Sequence, residues 1–397
     1  MNQPDNSNII MNSSLTNKPE TSLRIMQFGP THITGGGASV AVKQLSSALV
    51  SFGYEVMLIG NSGEGIDKLV EIGVNYQQVK WSRKIPKLLG CVRQVRHYLK
   101  VFKPHIVHVH GRAPSLMCIL AGRKPDFFTL HNSVFVDQVG ALDLGFVRKY
   151  FSPLAHRIIA LNPKAVEYVT TKLGVKPKDV EFITNGTDCD HFRPPTEVER
   201  EEARMRFGVG ENEIMAVFLG NFIERKQPDA VVALAAAARD VGLKALRFAL
   251  FGMGSLKEVL QERIHTLDLE DVCQLHNWVD NPRLAYWSAD ILLLPSLEEG
   301  FALVTVEALA CGCPVLGTRT GGWEFTIREG ITGFSCEIDR DSFITKGLEV
   351  LGNRESLQQM RPAARAWAEK QLSIQQQIKR TTDAYYLFLA ERKGSKS

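Results

Sequence analysis

Residues 291–315 read ILLLPSLEEGFALVTVEALACGCPV. A short aliphatic run ends at Pro295, a polar turn carries Glu298, Glu299 and Gly300, and a second apolar stretch follows with a single carboxylate, Glu307, inside it. The first run has the length and composition of a buried strand, and the second, from near Ala302, reads as a helix laid over a sheet. Glu299 then stands at the mouth of the helix and Glu307 about two turns inside, too far apart for a close hydrolytic pair. The amides of Phe301, Ala302 and Leu303 would form the helix N-terminus, a ready seat for a phosphate. One carboxylate on sugar hydroxyls, one on a ribose diol and amides on a diphosphate would together describe a nucleotide sugar. A buried helix with solvent-facing glutamates accounts for the same letters equally well.

The surrounding chain repeats this strand–turn–helix unit. Strands are expected over 23–28, 55–60, 106–110, 127–131, 157–162 and 181–183, with helical patterns between them, beginning with one over 38–52. The rhythm pauses at HFRPPTEVEREEARMRFGVGENE, residues 191–213, where prolines and a dense charge cluster mark a linker whose middle reads as a short solvated helix. It resumes with strands over 214–220, 247–252, 272–275, 291–295, 314–317 and 333–336. The pattern predicts two doubly wound α/β domains in tandem, their strand C-terminal ends facing each other across one cleft. The expected divisions are a leader (1–22), an acceptor-side domain (23–195), a hinge (196–212), a donor domain (213–373) and a final helix and tail (374–397). A last helix over 374–392 is long enough to cross back onto the first domain.

Composition agrees with this reading. Of 397 residues, 44% are hydrophobic and 23% charged, the balance of a globular protein, and the length suits two domains. A net charge of +4 implies no nucleic-acid partner. The seven cysteines include no CxxC pair, which points to reduced thiols in a cytoplasmic protein, and Cys311-Gly312-Cys313 reads as small core residues. The Asn/Ser/Thr-rich leader has only Ile9-Ile10-Met11 as an apolar run, neither a signal peptide nor a membrane span.

The segment PSLEEGFALVTVEALACGCPV resembles the E-x7-E signature of glycosyltransferase family four, with Glu299 and Glu307 at the two glutamate positions. Further stretches agree in order: GGGASVAVKQLSSAL (35–49), PHIVHVHG (104–111), FFTLHN (127–132), FITNGTDCDHFRP (182–194), FLGNFIERKQP (218–228), LFGMGSL (250–256) and GGWEFTIREGITGF (321–334). The resemblance implies a GT-B fold and a retaining, metal-independent transfer from a nucleotide diphosphate-sugar, with no cofactor beyond that donor. It places Lys226 on the donor diphosphate, Glu307 on the ribose, Glu299 on the donor sugar and His131 near the donor–acceptor junction, so that Glu299, Lys226 and His131 form the expected catalytic set. Gly36 and Gly37 would let the backbone approach the donor phosphates, and the amides of Phe301, Ala302 and Leu303 would meet the same group.

Three positions depart from the family pattern. Asn221 stands where an arginine usually follows the strand glycine, with Arg225 as a candidate substitute; Phe325 replaces a glutamate, with Glu324 one place early; and Ala302 replaces a glycine. A sugar-nucleotide binding protein with impaired catalysis is therefore one alternative, and a transferase acting on a small soluble acceptor is another. Asp188-Cys189-Asp190 spells the DxD metal signature of a different glycosyltransferase fold, but it lies in the hinge-proximal segment and no metal site is expected. Val40 stands where a dinucleotide-binding GxGxxG would need its third glycine, which disfavours a nicotinamide oxidoreductase.

From Lys80 to Lys103 the chain has eight Lys or Arg and no Asp or Glu. Leu88, Leu89, Val92, Val95, Leu99 and Phe102 recur at helical spacing from about Pro86, with Trp81 ahead of them. A basic amphipathic helix of this kind suits peripheral contact with an anionic membrane on its inner face, and a plain solvated face is the alternative. The expected acceptor is a growing surface glycan, as in lipopolysaccharide, or a lipid-linked sugar.

Overall fold

Aliphatic strands that do not alternate with polar residues must be covered on both faces, which a parallel sheet between two layers of helices provides. The computed structural model describes residues 22–31, 36–80, 85–131, 154–279 and 281–394. The leader up to residue 21, Gly35 and Trp81 lie outside the described residues.

Among the described residues the strands form two wholly parallel sheets. The first holds β1 (Arg24–Phe28), β2 (Glu55–Gly60), β3 (Asn75–Gln78), β4 (Ile106–Val109), β5 (Phe127–Leu130), β6 (Arg157–Ala160) and β7 (Val180–Phe182), in the spatial order β3-β2-β1-β4-β5-β6-β7. The second holds β8 (Ile214–Leu219), β9 (Leu246–Phe251), β10 (Cys273–His276), β11 (Ile291–Leu294), β12 (Val315–Thr318) and β13 (Gly333–Cys336), ordered β10-β9-β8-β11-β12-β13. Each order reverses beside its first strand, the switch point at which ligands of doubly wound sheets bind. The one strand absent from the sequence expectation, β3, reads NYQQ. It lies at the sheet edge, so it needs no aliphatic run.

The last helix, Ile374–Gly394, does cross back. Its Tyr385 and Phe388 pack edge-on against Phe127 of β5, at ring separations of 4.9 and 5.5 Å. One continuous apolar cluster therefore joins both sheets through this helix.

The chain passes between the sheets twice, and the two passages are hydrogen-bonded to each other. Thr187 N donates to Leu372 O (2.9 Å), Ile374 N donates to Thr187 O (2.7 Å), and Gly186 N donates to the Gln377 side chain (2.8 Å). A Cβ on Gly186 would lie 2.5 Å from Ser373 O, so only glycine permits this approach.

One sequence expectation is corrected here. The helix Glu197–Arg206, expected to be solvated, is anchored to the second sheet by a buried carboxylate. Asp290 accepts from Arg200 (2.6 Å), from Arg204 (3.1 Å) and from the Met215 amide (2.8 Å). The helix carries a capping box at Thr196 and Glu199, which explains why it begins where it does. The basic helix, Ile85–Phe102, uses much of its apolar stripe for the core: Val92 and Val95 are buried, and Leu88, Leu99 and Phe102 pack against the first sheet's cluster. Leu89 does not join them and is 60% exposed, like Val101 at 66%. All seven cysteines are buried and unbridged.

Asp290→Ala leaves two neighbouring guanidinium groups without their counter-charge. The expected loss is about 3–5 kcal/mol, the usual scale for removing one partner of a buried ion pair. Chemical denaturation of the variant checks it, and an unchanged midpoint would show that the helix is not anchored by this carboxylate.

Candidate active site

The strand ends of both sheets open onto one cleft. Gly36, Gly37 and His131 line it from the first sheet; Asn221, Arg225, Lys226, Glu299, Phe301, Ala302 and Leu303 line it from the second. Every expected site residue except Glu307 thus comes to one cavity.

Lys226 is placed by local geometry. It ends a single 3-10 turn, Glu224–Lys226, that follows β8, and Gln227 takes a left-handed conformation (φ +46°) so that the helix Pro228–Asp240 can start at once. The turn is bonded to the loop after β11: Leu297 N donates to Arg225 O (2.9 Å), and Arg225 Nη1 donates to Glu298 O (2.6 Å). Lys226 Nζ donates to Glu299 Oε1, which also accepts from Ser296 Oγ at 2.6 Å. Arg225 approaches the other oxygen, Oε2, at 3.9 Å. Glu299 is only 5% exposed, so a buried carboxylate is balanced by Lys226 in the free protein. Arg225 brings a cation into the cleft beside Asn221.

Glu307 lies behind this wall. It is one helical turn beyond Leu303, is 8% exposed, and accepts a hydrogen bond from the buried Tyr286 hydroxyl at 2.9 Å. Burial among apolar neighbours pushes its carboxyl up to about 7, only partly offset by the Tyr286 hydrogen bond. Tyr286 is a partner that sequence reading did not single out, because it comes from another helix, Arg283–Ser288.

Two helix N-termini point at the cavity. The helix Gly37–Ser51 begins at Gly36 without a side-chain cap and without an acidic residue in its first turn. The helix Leu303–Ala310 begins at Ala302 in the same uncapped way. Thr305 N donates to Ala302 O, and the amides expected at an anion site, those of residues 301–303, lie ahead of that first bond. Phe301 also contributes a buried ring to the wall. Uncapped ends of this kind carry partial positive charge and unsatisfied N–H groups.

Contacts between the domains frame the cavity. Asn162, 2% exposed, caps the helix Pro163–Glu167 through its Oδ1 and donates from Nδ2 to Gly300 O across the cleft at 2.6 Å. Sequence reading took this residue only as the end of a strand. Gly321 has no room for a Cβ, because Glu299 O already occupies that space. Phe325 packs edge-on against Phe182 of the first sheet at 5.5 Å, and Glu324 lies 4.0 Å from Lys164. These two departures from the family pattern therefore serve inter-domain contact. Asp188 Oδ1 accepts the amides of Asp190 and His191 in a local turn, with Cys189 buried between them. Among the described residues no group of three or more His, Cys, Asp or Glu is gathered as metal ligands.

The chain and its architecture have counterparts among known proteins. Residues 35–191 match the model of Glycosyltransferase Family 4, and residues 199–367 match Glycosyl transferases group 1. The N-acetyl-alpha-D-glucosaminyl L-malate synthase of Bacillus anthracis is 30% identical over 91% of this chain and 96% of its own length. The D-inositol 3-phosphate glycosyltransferase of an Arthrobacter species is 29% identical over 75% of this chain and 77% of its own. Among solved structures, a Rickettsia africae glycosyltransferase superposes with a TM-score of 0.78 at 19% identity, covering 93% of this chain and 99% of that one. Anabaena HepE, solved with UDP and glucose, gives 0.77 at 15%, covering 91% and 99%. With two facing parallel sheets, a glutamate–lysine pair between them and these matches spanning both halves, the chain belongs to glycosyltransferase family 4 and has the GT-B fold.

Proposed function

We propose that the chain is a retaining glycosyltransferase that moves a sugar from a nucleotide diphosphate-sugar to an acceptor hydroxyl, with no metal required. The observation that carries this reading is the convergence on one cleft of two uncapped helix N-termini, the cations Arg225 and Lys226, and the single carboxylate Glu299. Amides and cations suit a diphosphate, and a carboxylate suits sugar hydroxyls. On donor binding Lys226 exchanges Glu299 for the diphosphate and leaves Oε1 free to accept from the sugar. The bond from the anomeric carbon to the departing phosphate oxygen breaks while the acceptor oxygen bonds to the same face. The acceptor proton passes to that phosphate oxygen, so no protein base is needed. Lys226 and the amides of 301–303 stabilise the charge that develops on the leaving group. Closure of the domains limits competing hydrolysis.

For the acceptor we propose a glycan or lipid-linked sugar, with peripheral contact to anionic lipid through the basic helix and its exposed Leu89 and Val101. The second reading is a small soluble acceptor. It is favoured by the two relatives named for malate and inositol phosphate, which align over most of the chain.

In metal-free buffer, a thermal-shift panel of UDP-, GDP- and ADP-sugars is expected to show stabilisation by one nucleotide family. Lys226→Ala should lower kcat by about 10²- to 10³-fold, the cost of one lost transition-state charge partner; undiminished turnover would remove the lysine from the mechanism.

The raised Glu307 carboxyl gives a pH signature. Its proton must leave before the carboxylate can accept two ribose hydroxyls. Donor affinity should therefore fall about tenfold from pH 8 to pH 6, and Glu307→Gln should flatten the profile. In the unliganded protein the sign is opposite. The folded state holds this proton more tightly than the unfolded chain, so the group's contribution to stability is lost as pH rises from about 4.5 to about 7. Thermal melts of the unliganded protein across this range, with Glu307→Gln as the flat reference, read it directly.

Sedimentation with phosphatidylglycerol vesicles separates the acceptor readings. Binding that is lost in Leu89→Ser with Val101→Ser supports the membrane-facing acceptor, and no binding at low salt leaves the small soluble one.

A further inference from the structure

Behind the first-sheet wall of the cleft runs a buried polar chain that donor binding, as described, does not use. Gln27 on β1, His108 at the middle of β4, His110 just beyond it and Tyr385 on the last helix are each at most 4% exposed. Gln27 and His108 are direct neighbours in the sheet register. The Tyr385 hydroxyl lies 2.6 Å from His108 Nδ1, and His108 Nε2 lies 2.7 Å from Thr129 Oγ1. Gln27 Nε2 donates to the Tyr385 oxygen at 3.3 Å. Its Oε1 lies 2.5 Å from His110 Nε2, and His110 Nδ1 lies 2.9 Å from His131 Nε2. The chain thus runs from the last helix to a residue that lines the cleft beside Lys226 and Glu299.

With the Gln27 amide nitrogen toward Tyr385 and its oxygen toward His110, the order of donors and acceptors sets where the protons are. An amide oxygen only accepts, so His110 must carry its proton on Nε2. Burial holds the rings neutral, with His108 lowered to about 3 and His131 to about 4, so each ring has one proton. His110 Nδ1 is then bare and can only accept, which requires His131 to donate from Nε2. His131 is left with an unprotonated Nδ1. This order follows from the Gln27 amide nitrogen facing Tyr385 and its oxygen facing His110, and a reversed amide would put the His131 proton on Nδ1 instead.

We infer that Gln27 and His110 are positioning residues that hold His131 as the neutral Nε2–H tautomer, so that it meets a sugar hydroxyl in the cleft as a hydrogen-bond acceptor. This rests on the donor-site reading of His131. An acceptor nitrogen orients a hydroxyl by its proton without adding a cation that would compete with Lys226 for the diphosphate.

The direct test is imidazole nitrogen spectroscopy on the full chain labelled with ¹⁵N-histidine, the His131 signals being assigned by their loss in His131→Gln. A bare Nδ1 and a protonated Nε2, unchanged from pH 6 to pH 8, are expected; a protonated Nδ1, or a ring that titrates in that range, overturns the inference. This arm needs no activity and no altered relay. If the wild type proves inactive with every nucleotide sugar, the functional reading fails while the spectrum still decides the tautomer.

The kinetic arm compares two variants. His110→Gln keeps one acceptor toward His131 and one donor toward Gln27, and should retain most of the turnover. His110→Phe breaks the chain and should lower kcat by about 10- to 100-fold, the scale seen for orienting partners of metal-bound histidines, with nucleotide affinity by thermal shift unchanged. Equal turnover in both variants overturns the inference. Should His110→Phe fail to fold, Gln27→Met, which leaves every histidine in place, is read in the same way.

Discussion

Everything in the cleft depends on the place where the two passages between the sheets lie side by side. Two independently folded sheets joined by one strand of chain would be free to swing, and residues from opposite walls would share no fixed geometry. Here the first passage at Thr187 is bonded on both sides to the second passage at Leu372 and Ile374, and Gly186 lets the backbones touch. The contacts across the cleft, from Asn162 to Gly300 and from Phe182 to Phe325, then close a ring that begins at this junction. Their weakness individually matters little, because the junction has already brought the partners into range.

The electrostatic design of the site follows from leaving it ready for an anion. Two helix ends without caps and two cations would make an empty cleft strongly positive, and Glu299 balances part of that field through Lys226. In the proposed function a donor diphosphate would take over the neutralising role, so binding would exchange one anion for another rather than place charge in an unprepared site. Glu307 is handled differently: it has no cation, only the Tyr286 hydroxyl, and burial therefore favours its protonated form. Two glutamates of one short segment are thus held in different states by their neighbours alone.

The parts of this arrangement that were legible in the sequence are the local ones. Aliphatic runs such as Ile291–Leu294 reveal buried strands, and the order of turns between them reveals two doubly wound sheets. β3 escaped because an edge strand of polar residues has no such run. Within the site, Lys226 and Glu299 belong to recognisable segments, and their pairing required only that the two loops be adjacent. Asn162, Tyr286 and Tyr385 could not be read in this way, since each acts on a residue distant in sequence and looks ordinary among its own neighbours. The alternation His108-Val109-His110 was the one local hint of the buried polar chain, because residues two apart on a strand share a face. The error over the helix Glu197–Arg206 has the same origin: its charge density looks solvated until Asp290 is seen beneath it.

The return of the last helix has a consequence for how the molecule is made. Phe127, Gln27 and His108 belong to the half of the chain that leaves the ribosome first, yet the surface that covers them, Tyr385 and Phe388, is synthesised last. At about 5–20 residues per second the first sheet waits on the order of ten seconds or more for its cover, with an apolar and polar face open to solvent. During that interval one face of the second sheet can be covered, since its cluster includes no residue of the final helix. The sheet translated earlier therefore receives part of its cover only after the other has begun to pack.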